Sequence, residues 1–108
     1  MANLHEQLLI AIAEYNFDEA KRIIRGGIDL NAACDQGASA LYPAILSGDA
    51  SLVQLMLEHG ADPNFVAEEP AATIYTEKPL ELAQEARFLM DWDKYHPIVE
   101  LLKLNGAN

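Results

Sequence analysis

The residue types that most often carry chemistry are few in this chain, and their spacing does not assemble a metal site. The histidines His5, His59 and His96 lie far apart, and none is four residues from another histidine or from Cys34. Structural zinc sites need such ligands at short, regular spacings. We therefore expect no metal ion and no other cofactor.

The candidates for nucleophilic or acid–base catalysis are equally weak. Cys34 is followed by Asp35, and an acidic neighbour disfavours the thiolate that would act as nucleophile. Asp91 and Asp93 are two residues apart on a predicted helix, so their carboxylates should point in different directions. The sequence contains no G-x-S-x-G, no phosphate-binding glycine loop and no H-E-x-x-H. It therefore predicts a protein that is not an enzyme.

Length and composition favour one folded domain. The chain has 108 residues, of which 51% are hydrophobic and 22% are charged, which is enough apolar material for a core. A formal net charge of -10 argues against binding nucleic acid or anionic lipid through a basic patch. No apolar run approaches the roughly 20 residues that span a bilayer. The first residues lack the basic segment of a secretion signal, so we expect a cytoplasmic protein with no membrane partner.

The acidic charge is concentrated in the middle of the chain. No Lys or Arg lies between Arg25 and Lys78, whereas eight acidic residues do: Asp29, Asp35, Asp49, Glu58, Asp62, Glu68, Glu69 and Glu77. Such an excess is either a solvated surface that keeps the protein soluble or a field that steers a cationic partner. The choice between these two interpretations depends on where the acidic residues lie in the fold.

A repeat of fixed period predicts the architecture. Residues 26–31 and 59–64 align at an offset of 33, and the same offset places Leu8 on Leu41. A third copy ends the chain, with its glycine, Gly106, 13 residues later than this period predicts. Repeats of this length stack, because one unit cannot bury its own apolar face.

Each copy has the pattern of two short helices. In the second copy Leu41, Ala44 and Ile45 have helical spacing, and Gly48 then interrupts the pattern before the apolar run 52–57. A glycine after the second helix is a typical stop signal, since glycine enters the left-handed conformation without a Cβ penalty. Three such pairs predict an all-α solenoid of stacked antiparallel helix pairs.

The second copy ends in Gly-Ala-Asp-Pro-Asn at 60–64, after a second helix rich in Leu and Val. With the period, this motif resembles the ankyrin repeat family. Residues 39–42 stand where that family has Thr-Pro-Leu-His, and the histidine, which ties neighbouring turns in the family, is absent from the second and third copies. The resemblance covers nearly the whole chain and implies one ankyrin-repeat domain over 1–108, with repeats at about 1–32, 33–65 and 66–108. It also implies β-turn or hairpin-like connections between the helix pairs.

The first insertion in the third copy, residues 65–77, occupies the place of a turn between repeats. We expect it to project as a long loop beside the groove of the stack. It mixes Glu68 and Glu69 with Tyr75. A tolerated loop extension and a contact surface are both consistent with this composition.

The second insertion, residues 84–97, is expected to lengthen the first helix of the third copy. Phe88 and Leu89 are expected to close the end of the stack as a C-terminal cap. Trp92 and Tyr95 have two interpretations, because aromatic side chains also serve as anchors in partner pockets. The sequence leaves both interpretations open.

The resemblance implies that turn tips and first-helix residues form a protein-binding face. We expect that face to be acidic, since Lys21, Arg22, Arg25 and Lys103 belong to second helices on the other side. The candidate partner-binding residues are Asp35, Gln36, Leu46, Glu68, Glu69, Tyr75, Glu77, Glu85, Trp92 and Tyr95. These residues predict a monomer that binds a protein partner with a basic docking surface.

The leading functional hypothesis is a binding protein that masks a basic surface, as an inhibitor, an immunity protein or an adaptor would. A self-associating scaffold is the alternative. The net charge of -10 opposes it unless Trp92 and its neighbours form an uncovered apolar patch. A small enzyme or metal protein is the third hypothesis, and the residue spacings argue against it.

Overall fold

Helix pairs make up the regular structure of this chain. The computed structural model describes residues 4–31, 40–65 and 78–107, and in these ranges every regular element is a helix. The six helices of these ranges are α1 (Leu4–Ala13), α2 (Phe17–Arg25), α3 (Leu41–Ser47), α4 (Ala50–Glu58), α5 (Pro79–Leu89) and α6 (Trp92–Leu104). The predicted all-α fold is confirmed. The predicted β-turn connections fall on 32–39 and 66–77, outside the described residues.

The pairs stack into two layers. Within each pair the two helices pack together, while α3 packs between α1 and α5, and α4 packs between α2 and α6. The first helices thus form one layer and the second helices form the other. The largest fully buried side chains are Leu8, Ile24, Leu41, Tyr42, Ile45, Leu52, Val53, Met56, Tyr95, Ile98, Val99 and Leu102. Because they come from every pair, the hydrophobic core runs through the whole stack.

Side-chain caps begin the second helices. The Asp49 carboxylate accepts hydrogen bonds from the backbone N–H groups of Ser51 and Leu52, at 3.0 and 3.2 Å. Asp91 accepts in the same way from Lys94 N–H at 3.1 Å. Such caps satisfy donors that have no partner within the helix, and they fix where α4 and α6 begin.

Asparagine side chains tie the ends of neighbouring pairs together. The Asn31 carboxamide donates to the Gly60 carbonyl at 2.8 Å and accepts from the Asp62 N–H at 2.6 Å. One pair further along, the Asn64 carboxamide donates to the Gly106 carbonyl at 2.9 Å. These bonds join successive copies of the repeat.

The second insertion is shared between two helices, which corrects the expectation that it lengthens only the first one. The first helix, α5, ends at Leu89, and α6 begins at Trp92 with Pro97 inside it. The Asp91 cap explains the difference, because it starts a new helix where the sequence suggested a continuous one. The insertion therefore creates a corner at 90–91.

Candidate functional site

Two depressions flank Leu46 on the exposed side of the first-helix layer. The one between α1 and α3 has a volume of about 230 Å³ and is lined by Leu9, Ile12, Ala13, Tyr15, Pro43, Leu46 and Ser47. The one between α3 and α5 has a volume of about 160 Å³ and is lined by Leu46, Leu82, Glu85, Ala86, Leu89 and Met90. We call the two depressions together the groove face. It is predominantly apolar, and Leu46 lies at its centre.

Leu46 is positioned by the end of α3 and by a hydrogen bond from α6. Gly48 ends α3 in the left-handed conformation, with φ of 77°, which turns the chain toward α4. The hydroxyl of Tyr95 donates to the Leu46 carbonyl at 2.9 Å, and the Tyr95 side chain is only 2% exposed. Of the two interpretations of Tyr95, the buried ring supports a place in the core, so the side chain is not accessible as a partner anchor. It is a positioning residue for Leu46.

Tyr15 lines the α1–α3 depression in a conformation that its side chain disfavours. Its φ is 58°, and among the described residues it is the one non-glycine with a positive φ. The period of 33 places Tyr15 on Gly48, so the first copy has an exposed tyrosine where the second has glycine. Left-handed backbone costs a non-glycine residue of order 1 kcal/mol, and such strain concentrates at functional sites. The offset of 33 alone is enough to single out this residue in the sequence.

The residues of α5 that line the groove face also have a recognisable spacing in the sequence. Leu82, Glu85, Ala86 and Leu89 follow the spacing i, i+3, i+4, i+7, which places them on one face of a helix. Of the predicted contact residues, the structure brings Leu46 of α3 and Glu85 of α5 together in the lining of the α3–α5 depression. That Leu46 and Glu85 contact a partner remains a prediction.

The charge in the lining of the groove face is negative. Glu85 is the one charged residue among the described residues that line it, and no Lys or Arg does. The cations Lys21, Arg22, Arg25 and Lys103 lie on α2 and α6, in the second-helix layer, as expected. A face of this kind favours the binding of a partner surface on which apolar groups lie beside positive charge.

Several cations and acids of the second-helix layer interact with groups of their own chain. Arg22 donates to the Glu19 carboxylate at 2.9 Å, and this hydrogen bond lowers the pKa of Glu19. Burial opposes ionisation of Asp49. Hydrogen bonds from Ser51 and Leu52, with the nearby charge of Lys21, nevertheless hold the pKa of Asp49 below its ordinary value. These groups are structural caps and pairs.

Phe88 and Leu89 do not cover the end of the stack. Both side chains are mostly exposed, which corrects the expectation that they form a C-terminal cap. They are the last two residues of α5, immediately before the corner at 90–91. Trp92 is half-exposed beside them at the start of α6, in contrast to the buried Tyr95.

Six of the predicted contact residues lie outside the described residues: Asp35, Gln36, Glu68, Glu69, Tyr75 and Glu77. Their roles stay predictions. In the ranges that the structure describes, no three His, Cys, Asp or Glu side chains come together as metal ligands would. None of the helices in those ranges is long and apolar enough to cross a membrane.

Comparisons with known proteins find partial similarity to parts of much longer chains. No family model matches. The putative ankyrin repeat protein FPV018 of Fowlpox virus (strain NVSL) is 36% identical over 62 residues, 56% of this chain and 9% of that protein. The inactive serine/threonine-protein kinase TEX14 of Bos taurus is 38% identical over 63 residues, 58% of this chain and 4% of that protein. The mitochondrial disaggregase of Homo sapiens is 38% identical over 63 residues, 58% of this chain and 9% of that protein.

The chain therefore spans less than a tenth of the length of these curated relatives. The similarity is confined to a segment of each, and it indicates an ankyrin-repeat region in this chain. The three stacked helix pairs are consistent with that class of protein.

Proposed function

We propose that this chain is a non-catalytic protein-interaction module of the ankyrin-repeat family, which binds and masks a basic surface of a partner protein. The partial similarity to a protein named for ankyrin repeats supports the class. The observation that carries the mode of binding is the apolar groove face, which has Glu85 in its wall and neither Lys nor Arg in its described lining. Occlusion is then the simplest activity, as in an inhibitor, an immunity protein or an adaptor.

The apolar and acidic residues have separate tasks in this proposal. Leu46 and Tyr15 supply affinity, since burying a large apolar side chain contributes about 1.5–3 kcal/mol. The acidic residues raise the rate of encounter with a cationic surface, and salt screens that effect. The strain at Tyr15 fits this division, because a glycine there would fold at least as well but would offer no side chain to the partner.

The test uses a partner captured from the source cell, purified, and titrated by calorimetry. Tyr15→Gly and Glu85→Lys each alter the groove face, whereas Glu58→Lys makes the same charge change on α4 in the other layer. We expect the groove variants to weaken binding at least about tenfold with the melting temperature retained, and Glu58→Lys to stay within about twofold. Affinity should also fall as ionic strength rises. An affinity that is indifferent to salt and to both groove variants would refute the proposal.

Self-association is the competing function, and the exposed apolar residues near Trp92 are the observation that favours it. The net charge of -10 opposes it, because copies of the chain repel one another. A mass measurement in solution at micromolar concentration separates the two. A monomer supports the binding module, and a stable dimer supports the scaffold.

A further inference from the structure

The corner between α5 and α6 exposes four large apolar side chains within residues 88–92. Phe88, Leu89, Met90 and Trp92 are 78%, 69%, 65% and 53% exposed, and we call them the apolar tip. Single exposed apolar residues are ordinary on a protein surface, whereas several that are close together in the chain make a candidate interaction site. The tip belongs to the insertion that breaks the period of the repeat.

The tip is held in place by both helices that meet there. The Met90 N–H donates to the Ala86 carbonyl at 2.9 Å at the end of α5. The Asp91 carboxylate caps α6 by accepting from Lys94 N–H at 3.1 Å. Since only residues 90 and 91 connect the helices, the four side chains project from an ordered corner. An ordered surface loses little conformational entropy when a partner binds.

Trp92 is fixed by a stack of charged and aromatic side chains. The Arg87 guanidinium lies 4.1 Å from the centre of the Trp92 ring, and an Arg87 Nη1 is 3.1 Å from Nδ1 of His96. The His96 ring is nearly parallel to the indole, at 13° and 6.0 Å between ring centres. This arrangement holds the indole in one orientation while about half of its surface remains exposed. A rigid, half-exposed tryptophan is typical of binding hot spots.

The charges around the tip are complementary to a basic partner. The acidic side chains of Glu85, Asp91 and Asp93 are exposed there. The nearby cations are directed toward their own chain: Arg87 lies over Trp92, and the Lys94 side chain lies against Gly48, where an added Cβ would be 2.1 Å from its Cε. The tip therefore presents apolar surface beside three exposed carboxylates, and the two nearby cations contact groups of their own chain.

We propose that the apolar tip docks a segment of the partner protein in which large apolar side chains lie beside Lys or Arg. This inference rests on the proposed function and extends it, because Leu89 and Met90 line both the tip and the groove face. A second copy of the chain would place Glu85, Asp91 and Asp93 against the same acids, and an anionic membrane would repel them. A partner segment with apolar side chains next to Lys or Arg would contact both the apolar side chains and the acidic side chains of this surface.

The test selects binders from a library of short random peptides displayed on phage, using the full chain as bait. Trp92 is the only tryptophan in the chain, so its fluorescence reports on the tip in titrations with a synthetic copy of the most enriched peptide. The test variant, called the tip variant, is Phe88→Ser, because Phe88 is exposed in the tip and does not line the groove face. Leu104→Ser is the matched control, since Leu104 is equally exposed at the opposite end of α6.

We expect enriched peptides to combine Leu, Phe or Trp with Lys or Arg, and to shift Trp92 emission saturably. The tip variant should weaken binding at least about tenfold, while the control stays within about twofold. No enrichment, enriched peptides without basic residues, or equal binding by the tip variant would overturn the inference. A peptide that is lost with Glu85→Lys but retained by the tip variant would overturn it while the proposed function stands. A dimer that dissociates in the tip variant would show that the occupant is a second copy, which also overturns it.

Discussion

Replacing Asn31 with alanine tests whether the asparagine ties hold neighbouring helix pairs together. The change removes two hydrogen bonds between successive copies, one to the Gly60 carbonyl and one from the Asp62 N–H. A typical hydrogen bond contributes a net 0.5–1.5 kcal/mol, so two would contribute about 1–3 kcal/mol. Both bonds are exposed, and water can replace part of each. We therefore expect the free energy of unfolding to fall by about 1–2 kcal/mol.

Urea denaturation at neutral pH measures this loss directly, with the slope of the transition expected to stay constant. Thermal unfolding should show a lower Tm, by about 4–8 °C for each kcal/mol in a domain of this size. Asn105→Ala is the control, since its carboxamide bonds the Leu101 carbonyl at 2.8 Å within a single helix end. A loss below about 0.5 kcal/mol for Asn31→Ala, or an equal loss for the control, would refute the argument that these ties couple the pairs.

Three further changes test the packing and the caps. Tyr95→Phe keeps the buried ring but removes the hydroxyl that bonds the Leu46 carbonyl, so urea titration should show a loss of about 1 kcal/mol, and no loss would contradict the role of that bond. Gly60→Ala places a Cβ at φ of +96° with no atom within 4 Å, so calorimetric unfolding should show a loss of about 1–2 kcal/mol from backbone strain alone. Asp49→Ala removes the cap of α4 and should cost about 1 kcal/mol at neutral pH. Because the pKa of Asp49 is lowered by folding, this contribution is present above the unfolded pKa and is lost as pH falls through the folded pKa. The stabilities of the two proteins should therefore converge in acid, and a constant difference would contradict the shift.

Much of the fold follows from the period of the repeat. The offset between Gly27 and Gly60 predicted helix stops, and both glycines adopt a positive φ, of 90° and 96°. The pairing of helices followed from the apolar runs, because each run needs a neighbour to cover it. The corner at 90–91 was not predicted, since the choice between one long helix and two shorter ones depends on a single cap at Asp91.

The candidate site was less predictable, because exposure depends on packing between elements distant in sequence. Tyr95 and Trp92 are three residues apart with similar chemistry, yet one is buried against α3 and the other is half-exposed. Composition cannot distinguish them, and helix periodicity cannot either, because residues i and i+3 lie on the same side of a helix. The difference comes from position along α6: Trp92 is its first residue, at the corner, whereas Tyr95 lies one turn further in and reaches α3. Leu46 and Glu85 were predicted as contact residues, and the structure adds that they line one depression.

Amide hydrogen exchange with and without a bound partner tests the central claim most directly, since it maps the contact surface without any substitution. The proposal that the groove face binds a partner predicts slower exchange at the C-terminal ends of α1 and α3 and along α5, where Tyr15, Leu46 and Glu85 lie. Slower exchange confined to α2 and α4, in the second-helix layer, would contradict it.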